Sequence, residues 1–208
     1  MLLPLLKPVS RSLYTTFRAL PEPVRDTLAL GYLFCRAADA IADTPGLSPA
    51  QRLRLLETFW NAWDSPQGIM SFGGLDAAIH AADPGARALV HGLPGIFMTH
   101  EALPGDERAL IRDVVAGVLE GLRSELLGTV KEVADLERYC SFIGGKPAEF
   151  SARLCVLRLG LGGVDTAAFV AAKLQLGQGV VMASVQRGEK WSVGREAAWK
   201  AAAAVTQG

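Results

Sequence analysis

Apolar positions recur along this chain at helical spacing, and period-two alternation is nearly absent. The pattern predicts helix after helix. Ser10 stands as the N-cap of a helix over Arg11–Leu20. Pro21-Glu-Pro23 ends that segment, and Pro23 opens a helix that runs to about Asp43. Thr44-Pro-Gly-Leu-Ser48 is a loop, after which Ser48 caps a helix with Pro49 at its first position and Arg52–Trp63 as its body. Gly68–Gly74 reads as irregular, with short helices near Leu75–Ala82 and Pro84–His100. Leu103-Pro-Gly-Asp106 is a turn, and Glu107–Leu127 follows as a long amphipathic helix. Another long helix starts near Glu132 and contains Tyr139-Cys-Ser-Phe-Ile-Gly-Gly145. A glycine-rich break at Leu159–Gly163 precedes helices near Thr166–Val185 and Arg195–Val205. No repeat and no clear linker interrupts the series, which predicts one all-α domain over residues 1–208.

One stretch breaks the apolar pattern in an informative way. Arg36-Ala-Ala-Asp39-Ala-Ile-Ala-Asp43 places two carboxylates four residues apart in what otherwise reads as a buried helix. Positions i and i+4 lie on one helical face, one turn apart. The same stripe runs back through Arg36, Tyr32 and Leu28, so it starts apolar and ends charged. Taken alone, such a pair reads as a solvated helix end with Arg36 as an i,i+3 partner. Buried carboxylates without a partner are costly, however, and the cheapest partner is a divalent cation. Mg²⁺ takes hard oxygen ligands, commonly one or two carboxylates together with the oxygens of a substrate phosphate.

Composition narrows the classes. Lys plus Arg and Asp plus Glu each number 21, so the chain has no basic excess for nucleic acid to meet. Half of the residues are hydrophobic and only 20% are charged, which excludes disorder and fits a chain with a real core. Cys35, Cys140 and Cys155 have no CxxC spacing and sit among apolar residues. They suit free thiols in a reducing cytoplasm better than a disulfide framework or a zinc site. The start, Met1-Leu-Leu-Pro-Leu-Leu-Lys7, is too short and lacks the charge of a signal peptide. Val164–Val185 comes nearest to a membrane span but carries Asp165, Lys173, Gln175 and Gln178, leaving a peripheral membrane contact as the expectation.

Three further patches carry candidate chemistry. Ser10-Arg11-Ser12-Leu13-Tyr14 gathers hydroxyls and an arginine at an expected helix start, an anion-binding combination; its plainer reading is a capping serine beside a surface arginine. Glu125, in Gly121-Leu-Arg-Ser-Glu-Leu126, reads as part of a solvated helical face. Gly144-Gly145 lies inside a helix, where each glycine costs about 1 kcal/mol relative to alanine. A kink, a ligand chain against the backbone, or tight helix–helix packing each account for it.

Together these patches resemble the squalene/phytoene synthase family, over roughly Val9 to Gly188. Ser10-Arg-Ser-Leu-Tyr-Thr-Thr-Phe-Arg-Ala-Leu-Pro21 and Leu30-Gly-Tyr-Leu-Phe-Cys-Arg-Ala-Ala-Asp-Ala-Ile-Ala-Asp-Thr44 look like the family's opening signature. Tyr139-Cys140 through Glu149-Phe150, and Lys173-Leu-Gln-Leu176, look like its later signatures. The resemblance implies an all-α, class I isoprenoid synthase-type helical bundle around a central apolar cavity. It implies head-to-head condensation of two prenyl diphosphates, farnesyl or geranylgeranyl, to a squalene-type or phytoene-type product. It implies Mg²⁺, with Mn²⁺ as a substitute, held by Asp39 and Asp43. Ser10, Arg11, Tyr32 and Arg36 would bind diphosphate oxygens, Tyr139 would stand beside the reacting carbons, and Gln175 would line the second diphosphate region. NADPH use is left open, because no GxGxxG fingerprint is present.

The chain departs from the family's pattern at one place. The family's second acidic motif has the form Asn-x-x-Arg-Asp-x-x-x-Asp. Here Gln178, Val181, Met182 and Gln186 stand at those positions, and no acid lies between Thr166 and Arg187. The family also continues for several more helices, so a truncated or frame-shifted C-terminus is one expectation. A non-catalytic protein that binds prenyl diphosphate or lipid, or serves in assembly, is the alternative function on the same fold. A lyase or cyclase using one diphosphate is a weaker third reading.

Overall fold

Proline, glycine and capping side chains set the helix boundaries. The computed structural model describes residues 3–10, 13–64, 84–161 and 163–186. Among these residues all regular structure is helical. The chain divides into two compact units, Met1–Val115 and Ala116–Gly208, with the boundary inside one long helix.

The first unit contains α1 (Leu3–Ser10), α2 (Leu13–Ala19), α3 (Glu22–Ala42), α4 (Pro49–Asn61), α5 (Pro84–His91) and α6 (Leu93–Glu101). It also holds the first half of α7 (Gly105–Leu126). α3 is the central helix. It packs against α1, α2, α4, α5 and α6, and Leu30, Leu33, Phe34, Ala37 and Ile41 on it are fully buried. Phe34 lies at the middle of an aromatic cluster. Its ring centroid is 4.7 Å from Trp63, 4.9 Å from Phe97 and 5.7 Å from His100. Such pairs contribute roughly 0.5–1.5 kcal/mol each beyond the area they bury.

Several boundaries differ from those that the pattern predicts. Ser10 is not an N-cap: it is the last residue of α1, and α2 starts only at Leu13. α1 itself is not among the predicted helices, and Pro8 lies inside it. The helix expected over Pro84–His100 is two helices joined at Gly92. Pro94 accounts for the break, since it has no N–H to give and its ring crowds the preceding turn. The predicted Ser48 cap is present as a full capping box with Gln51, and Pro49 follows it. The expected elements over Gly68–Gly74, Leu75–Ala82 and Arg195–Val205 lie outside the described residues.

The second unit contains the rest of α7, then α8 (Val133–Cys140), a π-helical turn (Ser141–Gly145), α9 (Lys146–Leu159) and α10 (Thr166–Gln186). α7 ends in a Schellman motif: Gly128, at φ +64°, donates to the Glu125 carbonyl, and Thr129 donates to the Ser124 carbonyl. The long helix expected from Glu132 is interrupted by the π turn, where the Lys146 N–H reaches the Ser141 carbonyl five residues back. The reason for the glycines lies here. A Cβ on Gly144 would collide with the backbone of Gly177 on α10, and a Cβ on Gly177 would collide with Gly144. Gly144 therefore serves tight helix packing, one of its three sequence readings. Gly117 and Gly121 of α7 are covered instead by the side chains of Lys146 and Ile143.

α10 carries a single charge, Lys173, and its residues 166–185 are long and apolar enough to cross a membrane by length and composition, with a mean hydropathy of 1.3. Leu176 and Val180 are among its exposed residues.

Candidate functional site

The carbonyl end of α3 is where sequence and structure concentrate chemistry. Helix C-termini leave four carbonyls without intrahelical partners and carry the negative end of the helix dipole. Here every one of the four is engaged. The Asp43 N–H donates to the Asp39 carbonyl at 2.9 Å, and the Thr44 hydroxyl donates to the Ala40 carbonyl at 2.9 Å. The Thr44 N–H donates to the Ile41 carbonyl at 3.3 Å, and Arg52 Nη1, from α4, donates to the Ala42 carbonyl at 3.1 Å. This turn is thus rigidly held, and it carries both acids. The Asp43–Asp39 backbone bond keeps the i,i+4 register, so the two residues stand one turn apart as predicted.

Both acids are half-buried. Asp39 is not unpaired: Arg36 Nη1 lies 2.9 Å from its Oδ2, with the two side chains 28% and 20% exposed. The sequence expectation of two partnerless acids is corrected on this point. The i,i+3 reading of Arg36 holds, and both side chains of the pair are partly exposed. Burial pushes the Cys35 thiol, one turn before Asp39, up to about 12, and the negative charge of Asp39 adds to the shift.

Tyr32 lies one turn before Arg36. Its hydroxyl donates to the Val9 carbonyl at 3.0 Å, and its ring stacks at a tilt on Phe17, with centroids 5.3 Å apart. Tyr32 therefore ties α3 to the end of α1, where Ser10 is buried at 3% exposure with no hydrogen-bond partner for its Oγ. Ser10, Tyr32, Arg36, Asp39 and Asp43 all belong to the first unit. Arg11 lies outside the described residues.

The second unit places Tyr139 and Glu125 together. Tyr139 is 1% exposed, and its hydroxyl donates to Glu125 Oε2 at 3.2 Å. Glu125 is 8% exposed, which overturns its reading as part of a solvated face. A signal was available: Ile111, Val114, Val118 and Leu122 form a buried stripe on α7, and Glu125 continues it. Glu107 begins the same stripe at 1% exposure and accepts a hydrogen bond from the Thr27 hydroxyl. Sequence reasoning missed both Glu107 and its partner, as it missed Thr44 and Arg52. Gln175 is exposed on α10, whereas Tyr139 is buried.

The Gln178–Gln186 segment of α10 has a clear structural role. Val181 is 2% exposed and belongs to the buried cluster of Val130, Leu136, Tyr139 and Cys140, with Met182 packed against it. Gln178 Nε2 donates to the Glu137 carbonyl at 3.3 Å. This face of α10 is thus apolar where it meets the Tyr139 cluster.

Among the described residues, no group of three or more His, Cys, Asp and Glu side chains gathers as a metal centre. Two aspartates one turn apart at the negative end of a helix nonetheless fit Mg²⁺ in donor chemistry. That ion takes one or two carboxylates and fills its remaining positions with water and phosphate oxygens. A cation there also opposes the unfavourable placement of two acids at a helix C-terminus.

No curated protein matches the chain significantly. Residues 6–179 match the squalene/phytoene synthase family. The matched span takes in the α3 acid pair, the Tyr139–Glu125 pair and the glycine contact between the π turn and α10. All-helical secondary structure and this match over most of the length agree, and the chain belongs to the squalene/phytoene synthase family, with the all-α isoprenoid synthase-type fold, prenyl diphosphate substrates and prenyltransferase-like role in isoprenoid biosynthesis that membership carries.

Proposed function

We propose that the chain couples two prenyl diphosphates head to head, with loss of diphosphate, and that Asp39 and Asp43 hold Mg²⁺ for this reaction. The observation that carries the reading is the α3 terminus: Arg36, Asp39 and Asp43 stand in register on a turn whose four terminal carbonyls are all engaged. When bound, Mg²⁺ would supply the charge stabilisation that a departing diphosphate needs. The chain's own residues bind and orient. Arg36, with Arg11, Ser10 and Tyr32, would hold diphosphate oxygens, and a bidentate guanidinium suits that geometry. Tyr139, apolar in surroundings and held by Glu125, would flank the reacting carbons away from water. Gln175 is proposed for the second diphosphate. The free thiols support a cytoplasmic setting, and the exposed Leu176 and Val180 support peripheral contact with a membrane.

Incubating the protein with farnesyl diphosphate, and separately with geranylgeranyl diphosphate, with and without Mg²⁺, tests the reading. A Mg²⁺-dependent C30 or C40 hydrocarbon is expected, and its length names the substrate. NADPH added to one arm shows whether the product is reduced. A second reading has its own support: Val181 and Met182 give the later wall an apolar contact with the Tyr139 cluster in place of acids. On that reading the chain binds a prenyl diphosphate without turning it over. Ligand-induced thermal stabilisation with no hydrocarbon would establish it over the first.

A further inference from the structure

Arg52 belongs to none of the motifs that identify the family resemblance, yet it touches the turn that carries the acid pair. It lies on α4, just after the Ser48–Gln51 capping box that fixes the helix start. From there its Nη1 crosses the Thr44–Leu47 loop to the Ala42 carbonyl, the residue before Asp43. Its Nε is buried and has no hydrogen-bond partner, so the Nη1 contact to Ala42 is the polar contact shown for this side chain. A guanidinium that leaves one buried donor unused is held by what its other end does, and here that is closing the last open carbonyl of α3.

We propose that Arg52 is a positioning residue for the Asp39–Asp43 cation site: by clamping the Ala42 carbonyl it fixes the turn from which Asp43 projects. The inference rests on the proposed role of Asp39 and Asp43. Two opposite effects of Arg52 can be separated by sign. As a nearby positive charge alone, it would repel a divalent cation, and removing it would tighten binding. As a clamp, it holds a ligand in place, and removing it weakens binding. Outer groups that orient metal ligands typically change affinity by about 10–100-fold when removed.

The test is direct binding of Mn²⁺ in the presence of inorganic diphosphate, with free Mn²⁺ followed by electron paramagnetic resonance. It needs no turnover. The parent protein, Arg52→Met, Arg52→Lys, and Arg54→Met as an exposed-arginine control are compared, with circular dichroism confirming the fold of each. The expected result is Mn²⁺ affinity weakened roughly 10-fold or more in Arg52→Met, intermediate in Arg52→Lys, and unchanged in Arg54→Met. Unchanged or tighter binding in Arg52→Met overturns the proposal. If that variant does not fold, parent-level affinity in Arg52→Lys overturns it instead. Asp39→Asn keeps the underlying reading separate. Parent binding that survives Asp39→Asn removes the cation site itself and the proposal with it, whereas binding lost in Asp39→Asn but kept in Arg52→Met removes only the role of Arg52.

Discussion

Asp39 shows how one carboxylate serves two contexts. In the protein alone it pairs with Arg36 and adds to the raised Cys35 pKa that burial mainly causes; with a cation present it would become a ligand. The thiol shift has a definite sign. A pKa raised from 9.0 to about 12 means that the folded state keeps a proton which the unfolded chain releases. The resulting stability is fully present below about pH 9 and is lost as pH climbs toward 12. Urea midpoints measured across that range should therefore fall less steeply for Cys35→Ala than for the parent, and equal slopes would contradict the assigned shift. Tyr139 and Glu125 form the other residue-scale unit. Removing a hydrogen-bond partner from a buried polar group costs about 1–3 kcal/mol. Tyr139→Phe and Glu125→Gln should each destabilise, and the double variant should lose less than the sum of the two, as groups in direct contact do. Strict additivity in denaturant unfolding would show that the pair does not interact.

Helices meet in the second unit through glycine. Gly144→Ala places a methyl group against the Gly177 backbone, and backbone cannot yield as a flexible side chain does. The expected loss is about 1–3 kcal/mol or more, seen as a lowered melting temperature. A parent-like melting curve would mean that the two elements are not in this contact. Gly117→Ala is expected to cost less, because it meets the stem of Lys146, which can move. The element scale is also where the sequence was most and least legible. The Ser48 cap, the extent of α3 and the acid pair at its end were readable because each depends on local chemistry: a cap, a proline, a four-residue spacing. The break at Gly92, the π turn and the burial of Glu107 and Glu125 were not, because each is settled by what packs against the helix. The two glutamates continue an apolar stripe, but periodicity alone does not show that a threonine and a tyrosine stand opposite them. Arg52 was invisible for the same reason, since its role exists only when α4 folds back on the end of α3.

Among the described residues, α3 ends in the acid pair and α10 packs apolar side chains around Tyr139. Val181 and Met182 are part of the packing around Tyr139, so placing an acid there carries a structural cost. Met182→Asp should lower stability by about 1–3 kcal/mol, since it sets a polar group against a buried apolar cluster. A variant as stable as the parent would show that the face is open to solvent or cation after all. The central claim is that the α3 pair holds the divalent cation through which a prenyl diphosphate binds. The most direct measurement is calorimetric titration of farnesyl diphosphate into the parent protein and into Asp39→Asn, each with Mg²⁺ and with chelator. The account predicts binding by the parent only with Mg²⁺ and at least tenfold weaker binding by Asp39→Asn. Equal affinity in all four titrations would contradict it.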